Sequence, residues 1–335
     1  MRAAVLTAPG EIGIVERDAP VPGPGEVLVR IGSVGVCGSD THYFDHGRIG
    51  RFVVEQPLVL GHEAGGVVEA VGPGVAPSRV GERVSIEPGI PDGTCRWCRT
   101  GRYNLCPAMR FLATPPVDGA FAELLAVPDG FAHAVPDTVS DDAAALLEPL
   151  SVGLWACRKG EVGAGSRVLV TGAGPIGLVA VQCALAAGAA EVVVSEPDPA
   201  RREVAAGFGA TGVTPSDLDG PDGVEPDVLL ECSGHPAAAV AGLRALVRGG
   251  RAVLVGMGAD ELALPLPVVQ ERELEITGTF RYANTWPTAI ALVANGRIDL
   301  DRLVTGTYPL ERAADALVAG RRDPTTIKAV VRPQT

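Results

Sequence analysis

Lysine is almost absent from this sequence, and basic residues of either kind form no cluster. Only Lys159 and Lys328 are lysines, and arginine supplies the rest of the 28 basic residues, against 40 acidic ones and a formal net charge of -12. A surface that binds nucleic acid needs a local basic excess, so we expect no nucleic-acid partner. We interpret the near-replacement of lysine by arginine as a compositional habit without a functional role.

Long apolar runs are also missing. Glycine, proline or charged residues interrupt the hydrophobic stretches before they reach the length of a membrane span. Pro9 and Gly10 follow the first apolar residues too early for a secretory leader. We therefore expect no membrane segment and a cytoplasmic location.

The cysteines do not form the even set that a disulfide framework needs. There are seven, and Cys95, Cys98 and Cys106 lie close together in a chain for which we expect no export signal. Metal ligation fits this pattern better than disulfide bonds. A chain of 335 residues also exceeds one ordinary hydrophobic core, so we expect two domains with a ligand-binding cleft between them.

Two patterns divide the chain. As far as about residue 148, stretches with period-two alternation, such as 26–31 and 66–71, are separated by glycine and proline turns, which predicts an irregular, mostly antiparallel β-domain. Ser140 and the acidic residues after it predict the start of a helix. From Arg167 onward, short apolar strands alternate with helices, which is typical of a doubly wound parallel sheet. The predicted elements of this part are strands at 168–171, 192–194, 227–232, 251–256 and 274–280, helices to about 187, at 236–247, from near 287 and at 311–319, and a final strand at 327–331.

A glycine fingerprint lies between an apolar strand and a helix. Gly172, Gly174 and Gly177 have the spacing that lets a pyrophosphate approach the amino terminus of a helix, and Pro175 suits the first helical turn. Glu196 follows Gly177 by nineteen residues, at the end of the next strand, where a carboxylate can accept hydrogen bonds from the adenosine ribose. The alternative is a glycine-rich turn without a ligand in an alanine-rich chain.

The same residues bear on the choice of dinucleotide. Glu196 would repel a 2′-phosphate, which favours NAD over NADP. Arg201 and Arg202 leave this choice open, because they could pair with a phosphate or be solvated residues at a helix start.

Four residues could hold a catalytic metal ion. Cys37, His62 and Glu63 supply the ligand types of a catalytic zinc site, and Glu148 is a further carboxylate near the expected domain junction. Taken singly, such a cysteine is more often a small buried residue and such a histidine more often structural.

The combination of these residues with a dinucleotide site favours the metal interpretation. Transfer of a hydride from an alcohol to such a cofactor needs a group that stabilises the alkoxide. Zinc lowers the pKa of bound water from ~15.7 to ~7, which corresponds to about 12 kcal/mol, whereas a side-chain base supplies about 3–5 kcal/mol. Asp40 is a candidate to orient the imidazole of His62. Ser39 and His42 could pass the alcohol proton to water, although His42 could also be an ordinary surface histidine.

Several longer strings resemble the zinc-containing medium-chain dehydrogenases, and among them the sorbitol (polyol) dehydrogenase family. The resemblance extends over nearly the whole chain and is carried by residues 37–43, 47–50, 60–63, 101–105, 113–116, 148–153, 172–177 and 280–287.

The resemblance implies a GroES-like, β-rich catalytic domain at 1–149, to which 280–335 return, and a Rossmann NAD-binding domain at 150–279. It implies a catalytic zinc on Cys37, His62 and Glu63, with Glu148 holding the zinc-bound water or ligating directly. The polyol-contacting positions that it implies are Tyr43, Phe111, Thr114, Glu148, Arg281 and Tyr282. The NAD-contacting positions that it implies, besides the glycine turn, are Ile176, Glu196, Arg201, Val255, Gly256, Met257, Thr279, Phe280 and Arg281.

Many members of this family hold a second, structural zinc on four cysteines. Cys95, Cys98 and Cys106 occupy the last three of those places here, and Asp92 stands in the first. A carboxylate oxygen can ligate zinc, so we expect an occupied site, the alternative being a vestigial lobe without metal.

The expected activity is oxidation of a secondary alcohol of a polyol or cyclitol to the ketone with NAD. The alternatives are a dehydrogenase of an amino-cyclitol or of an amino-acid alcohol, and a non-catalytic NAD-binding relative. The resemblance also implies a homotetramer, or else a homodimer.

Overall fold

The chain folds into two compact units. The structure, a computed structural model, describes residues 1–219 and 224–335. The first unit comprises Met1–Glu148 and Trp286–Thr335, and the second comprises Pro149–Thr285. This division follows contacts within the chain, and the extents of a catalytic and a cofactor-binding domain stay a prediction.

The described residues contain twenty strands and ten α-helices. The strands are β1 Arg2–Ala8, β2 Glu11–Glu16, β3 Glu26–Gly35, β4 Arg48–Ile49, β5 Phe52–Val53, β6 Leu58–Val59, β7 Glu63–Val71, β8 Arg83–Ile86, β9 Gly89–Ile90, β10 Arg110–Phe111, β11 Leu124–Pro128, β12 Ala132–Ala134, β13 Arg167–Thr171, β14 Glu191–Ser195, β15 Thr211–Val213, β16 Val228–Glu231, β17 Arg251–Leu254, β18 Glu275–Gly278, β19 Val304–Pro309 and β20 Lys328–Arg332. The α-helices are α1 Gly38–His46, α2 Arg96–Arg99, α3 Asp141–Ala145, α4 Leu147–Gly160, α5 Pro175–Ala186, α6 Pro199–Gly207, α7 Pro236–Ala245, α8 Leu266–Glu271, α9 Trp286–Ala294 and α10 Ala313–Arg322. Short 3-10 helices cover Pro77–Arg79, Tyr103–Leu105, Asp129–Phe131, Pro215–Asp219, Asp301–Leu303 and Leu310–Arg312.

The first unit is built around one mostly antiparallel sheet. Its strands run in the order β12-β8-β7-β3-β20-β19, and β11 also pairs with β3. In strand β3, the side chains of Val27, Val29 and Ile31 face the core and are fully buried, as the period-two alternation predicts. A second sheet, β2-β1-β6, adds Leu6 and Leu58 to the same hydrophobic core. The predicted β-domain is confirmed.

The second unit is a six-stranded parallel sheet. The strand order is β15-β14-β13-β16-β17-β18, and all five strand pairings are parallel. The strand order reverses direction at β13, which is the topological switch point of a doubly wound sheet. In such sheets, ligands bind near this point, beyond the carboxyl ends of the strands. The predicted doubly wound sheet is confirmed.

Local capping signals explain where the helices begin. The Ser140 hydroxyl accepts a hydrogen bond from the Ala143 amide at 2.9 Å, so α3 begins where the sequence predicts. Helix α10 begins at Ala313, later than predicted, because residues 310–312 form a 3-10 turn first. Within the described parts of the chain, no helix has both the length and the apolar character needed to cross a lipid bilayer.

Candidate metal centre and dinucleotide site

The backbone register of three neighbouring strands builds one end of the first unit. Strand β3 ends at Gly35, which lies opposite Glu63 at the start of β7. On the other side, β20 begins at Lys328 and pairs with β3 near Gly35. Cys37 follows β3 by two residues. The pairing of β3 with both neighbours therefore brings Cys37, Glu63 and Lys328 to the same edge of the sheet.

Three of the predicted metal ligands meet at this edge. One ligand atom each of Cys37, His62 and Glu63 lies within 4.8 Å of the other two. His62 and Glu63 are buried, and Cys37 is partly exposed. A thiol, an imidazole and a carboxylate at this separation form a donor set typical of a catalytic zinc site, which leaves a coordination position for water or substrate.

One carboxylate oxygen of Glu63 tests whether these residues fit a metal ion. Its Oε2 is buried and accepts no hydrogen bond from residues 1–219 or 224–335. Buried carboxylate oxygens normally have a partner. A Cβ added at Gly35 would lie 2.0 Å from this oxygen, so glycine leaves the space that the carboxylate occupies. The residues present therefore fit a metal ion.

Asp40 ties together the two segments that carry the ligands. Its Oδ2 accepts a hydrogen bond from the Cys37 amide at 3.0 Å, and its Oδ1 accepts one from the Gly61 amide at 2.9 Å. The same Oδ1 lies 3.6 Å from His62 Nδ1, within ion-pair range but longer than a hydrogen bond. Asp40 thus acts on His62 by charge and by holding the backbone beside it.

The charges in this cluster shift the proton affinity of His62. Burial alone would lower the pKa of His62, but the neighbouring Asp40 and Cys37 raise it well above its ordinary value. Burial would raise the pKa of Asp40, whereas His62 and the two amide donors lower it, and the net pKa lies below the usual value. A metal ion and a proton therefore compete for the imidazole of His62.

Lys328 is a member of this site that the sequence reasoning missed. Its Nζ donates to Glu63 Oε1 at 2.6 Å and to the Val36 carbonyl at 2.8 Å. Burial alone would lower the pKa of Lys328, but the charges of Glu63, Cys37 and Glu148 raise it. The interpretation of lysine usage from the sequence did not anticipate these contacts of Lys328. Its rarity in an arginine-rich chain was the only signal available.

The residues predicted to handle the alcohol proton lie on helix α1, directly after Cys37. Ser39, His42 and Tyr43 are spaced i, i+3 and i+4, so they share one face of the helix. Ser39 is half-buried, Tyr43 is buried, and His42 is exposed to water. Of these three residues, His42 is therefore the one in contact with bulk water.

Phe111, Thr114 and Glu148 also belong to the first unit. The Phe111 ring packs on His62, with ring centroids 5.5 Å apart, so one predicted substrate-contact residue touches a predicted ligand. Thr114 is half-buried and its amide donates to the Phe111 carbonyl at 3.1 Å. Glu148 is buried in the first turn of α4, and its charge reaches Lys328. Glu63, and not Glu148, supplies the carboxylate of the three-residue cluster.

A second cluster contains all four residues predicted for a structural zinc. Ligand atoms of Asp92, Cys95, Cys98 and Cys106 lie within 4.8 Å of one another. The Cys95 and Cys98 sulfurs are 3.4 Å apart, and Asp92 Oδ1 accepts from the Cys95 amide at 2.9 Å. The Cys95 and Thr94 amides lower the pKa of Asp92 to about 2, so this carboxylate is ionised and able to ligate.

Replacing Asp40 by asparagine tests the first cluster. In Asp40→Asn, one amide donor of the backbone faces the new side-chain NH₂, and the charge beside His62 is lost. We expect zinc affinity to fall ~10–100-fold, measured by chelator competition on protein that also carries Asp92→Ala, so that only one zinc site is titrated. Asp45→Asn on the same helix is the matched control, because Asp45 forms an ion pair with Arg321, whose side chain is half exposed, and belongs to neither metal cluster of the described residues. Equal affinities in the two variants would contradict this role of Asp40.

The glycine fingerprint forms the turn between β13 and α5 in the second unit. Gly174 is the N-cap of α5 and Pro175 is its first residue, as predicted. A Cβ at Gly177 would lie 1.9 Å from the Gly172 carbonyl oxygen, whereas one at Gly174 would meet no atom within 4 Å. Gly177 therefore permits close packing of the turn, and Gly174 leaves open space at the helix amino terminus, as a pyrophosphate site requires.

Glu196 follows β14 and points its carboxylate back to this turn. Its Oε2 accepts from the Ala173 amide at 2.8 Å, and its Oε1 accepts from the Asp198 amide at 3.0 Å. Arg202 donates to the carbonyls of Glu196 and Pro197 at 2.6 and 2.8 Å. Arg201, whose side chain could still meet a phosphate, is half-buried in the first turn of α6.

Glu231, which the sequence reasoning missed, connects three loops at the carboxyl edge of the same sheet. Its Oε1 accepts from the Ser233 amide at 2.9 Å and from the Thr171 hydroxyl at 3.2 Å. Its backbone carbonyl accepts from the amides of Val255 and Gly256, both at 2.8 Å. The predicted cofactor positions Val255 and Gly256 are thereby fixed relative to the strand β16.

The remaining predicted contact positions follow β17 and β18. Met257 and Phe280 are largely exposed, and Thr279 donates its amide to the Leu254 carbonyl at 3.0 Å. The guanidinium carbon of Arg281 lies 4.8 Å from the centroid of the Phe280 ring, and Tyr282 is buried.

A zinc-type donor set in a β-rich unit and a dinucleotide turn on a parallel sheet define a zinc-dependent, nicotinamide-linked oxidoreductase. Residues 23–137 match the alcohol dehydrogenase GroES-like domain, and residues 175–295 match the zinc-binding dehydrogenase domain. This chain belongs to the zinc-binding alcohol dehydrogenase family.

Individual relatives share most of the chain. Sorbitol dehydrogenase from Macaca fascicularis is 45% identical over 322 residues, which cover 93% of this chain and 90% of the relative. The structure of Escherichia coli L-idonate 5-dehydrogenase matches with a TM-score of 0.93 and 30% identity, over 99% of this chain and 97% of that one. The structure of an alcohol dehydrogenase from E. coli CFT073, complexed with NADH, matches with a TM-score of 0.90 and 29% identity over 99% of both chains. The resemblance predicted from the sequence is confirmed.

Proposed function

We propose that this protein oxidises a secondary hydroxyl of a polyol or cyclitol to the ketone, with zinc and NAD. The observation that carries the proposal is the cluster of Cys37, His62 and Glu63, with one buried oxygen of Glu63 lacking a partner among the described residues. The substrate class is supported by relatives named for sorbitol and idonate, which are both polyhydroxylated chains.

Each ligand residue would have a defined task. Cys37, His62 and Glu63 would hold the zinc ion. Asp40 would fix the backbone at Cys37 and at Gly61, the residue before His62. When bound, zinc supplies positive charge that makes a hydroxyl acidic. Phe111, packed on His62, would exclude water from one side of the ligand set.

The proton of the alcohol would leave along helix α1. Ser39 would accept it from the substrate hydroxyl, and the exposed His42 would deliver it to water. Tyr43, Thr114, Glu148, Arg281 and Tyr282 are proposed to bind the substrate, with the polar side chains positioning the hydroxyls that do not react.

The cofactor is proposed to be NAD. The Gly172–Gly177 turn offers the amino terminus of α5 to the pyrophosphate, and the buried carboxylate of Glu196 stands where a 2′-phosphate would bring a further negative charge. Arg202 already donates to two backbone carbonyls, which weakens the argument for NADP. NADH in a related structure supports a nicotinamide cofactor.

A substrate screen tests the proposed activity. NADH formation would be followed with sorbitol, xylitol, ribitol, iditol, mannitol, inositols, amino-cyclitols and threonine. We expect turnover with at least one polyol or cyclitol, and faster turnover with NAD than with NADP. Turnover confined to an amino-cyclitol or threonine would show that the substrate is an amino-cyclitol or an amino-acid alcohol and not a polyol. If the protein has zinc and NAD bound and turns over no compound of the panel, the alternative of a non-catalytic NAD-binding relative would be favoured.

The Asp92 cluster is proposed to hold a structural zinc. In Asp92→Ala one of four ligands is lost, so we expect zinc content to fall from about two to about one per chain. Turnover should be retained, because the catalytic ligands belong to another cluster. Zinc is measured by elemental analysis, with Asp18→Ala, an exposed position of the same unit, as control. One zinc per chain in the unaltered protein would contradict an occupied lobe.

The assembly and the location are proposals that rest on the sequence alone. A homotetramer, or else a homodimer, is tested by light scattering, and a cytoplasmic location is tested by cell fractionation.

A further inference from the structure

A buried ion pair lies behind the proposed metal ligands. The side chains of Lys328 and Glu63 are only 4% and 1% exposed. Removing a charged group from water costs several kcal/mol unless a partner compensates it. The 2.6 Å contact between Lys328 Nζ and Glu63 Oε1 supplies that compensation for both groups.

The two oxygens of the Glu63 carboxylate differ in their hydrogen bonding. Oε1 accepts from Lys328, while Oε2 has no hydrogen-bond partner among the described residues. The Val36 carbonyl accepts a second bond from Lys328 at 2.8 Å, which fixes the ammonium against the end of β3. The backbone of Gly35 borders the carboxylate on the Oε2 side, since a Cβ there would lie 2.0 Å from this oxygen. The carboxylate is thus held in one orientation without any metal ion.

These contacts also limit what Lys328 can do. Its Nζ already donates to two acceptors, and its side chain is almost fully buried. A group so placed acts through Glu63 and not on a substrate.

We infer that Lys328 is a positioning residue, which neutralises Glu63 in the metal-free protein and keeps Oε2 as the oxygen that is available to the metal ion. This inference rests on the proposed metal site. Zinc, when bound, and Lys328 would both compensate the charge of this carboxylate. Loss of Lys328 should therefore destabilise the fold of the metal-free protein more than that of the zinc-loaded protein.

The test uses the two lysines of the chain as a matched pair. Melting temperatures of Lys328→Met and of the control Lys159→Met are measured with zinc removed and with zinc restored. Without zinc, Lys328→Met should melt roughly 6–20 °C below the unaltered protein, because a buried carboxylate has lost its partner. Lys159→Met should stay close to the unaltered protein. Zinc should raise the melting temperature of Lys328→Met by more than it raises either of the other two.

A spectroscopic measurement separates positioning from general stabilisation. In cobalt-substituted protein, the visible absorption bands should shift in Lys328→Met and not in Lys159→Met, because the orientation of Glu63 toward the metal has changed. If Lys328→Met does not fold, Lys328→Met/Glu63→Gln should fold, since the double variant contains neither charge of the buried ion pair.

The outcomes distinguish the inference from the proposed function. Equal zinc responses in the two lysine variants, or a double variant no more stable than Lys328→Met, would overturn the role of Lys328. If the unaltered protein still took up zinc and turned over, the proposed function would stand. Failure of the unaltered protein to take up zinc at Cys37, His62 and Glu63 would overturn both.

Discussion

Cys37→Ser should abolish turnover while leaving NAD binding intact. A serine hydroxyl is not ionised near neutral pH, so the variant loses the thiolate from the three-residue cluster and with it the catalytic zinc. We expect kcat to fall by more than ~10⁴-fold, because a side-chain base supplies only ~10²–10⁴-fold of the acceleration. Stopped-flow or steady-state NADH formation measures the loss, and fluorescence titration measures NAD affinity.

The matched control is Cys232→Ser. Cys232 is a partly exposed cysteine of the second unit and a member of neither metal cluster. This variant should keep both zinc and turnover. A Cys37→Ser protein that lacks the catalytic zinc and still turns over at the normal rate would refute the proposed mechanism.

Gly177→Ala should destroy the dinucleotide turn. The added Cβ would lie 1.9 Å from the Gly172 carbonyl oxygen, a backbone atom that cannot swing aside. The amino terminus of α5 must then move away from β13, where the pyrophosphate is expected. We expect NAD affinity to fall at least ~100-fold, equivalent to about 2.7 kcal/mol, together with a lower melting temperature of the second unit. The zinc content should stay unchanged.

Gly174→Ala separates the two roles of the glycines. A Cβ at Gly174 meets no protein atom within 4 Å, so the fold should keep its melting temperature. The methyl group would still point into the space that the pyrophosphate needs, so NAD affinity should fall. A drop in melting temperature as large as that of Gly177→Ala would show that the structure of this turn is misassigned.

Parts of the fold with a repeated local pattern could be predicted from the sequence. The alternation in β3 and the apolar runs of β13 and β14 gave correct strands, since burial on one face or on both leaves a readable pattern. The glycine turn was predictable because its spacing, strand and helix are contiguous. The start of α10 was not, since a 3-10 turn at 310–312 and an α-helix share the same local preferences.

The ligands were found because their residue types are chemically specific, but their neighbours were not. Lys328 is 265 residues from Glu63 in sequence, and only the pairing of β20 with β3 brings the two together. Glu231 was missed for a related reason: its partner Thr171 lies on the neighbouring strand β13, and its partner Val255 directly follows the other neighbour, β17. Contacts set by strand register leave no local signal in one sequence.

The proposed activity depends on a single zinc ion held by Cys37, His62 and Glu63. The most direct test is zinc-edge X-ray absorption on Asp92→Ala protein, in which the other cluster has lost a ligand. We expect one zinc per chain, with one sulfur at ~2.3 Å and nitrogen or oxygen ligands at ~2.0–2.2 Å. Two or three sulfurs per zinc, or no sulfur at all, would place the ion elsewhere and contradict a zinc site on Cys37, His62 and Glu63.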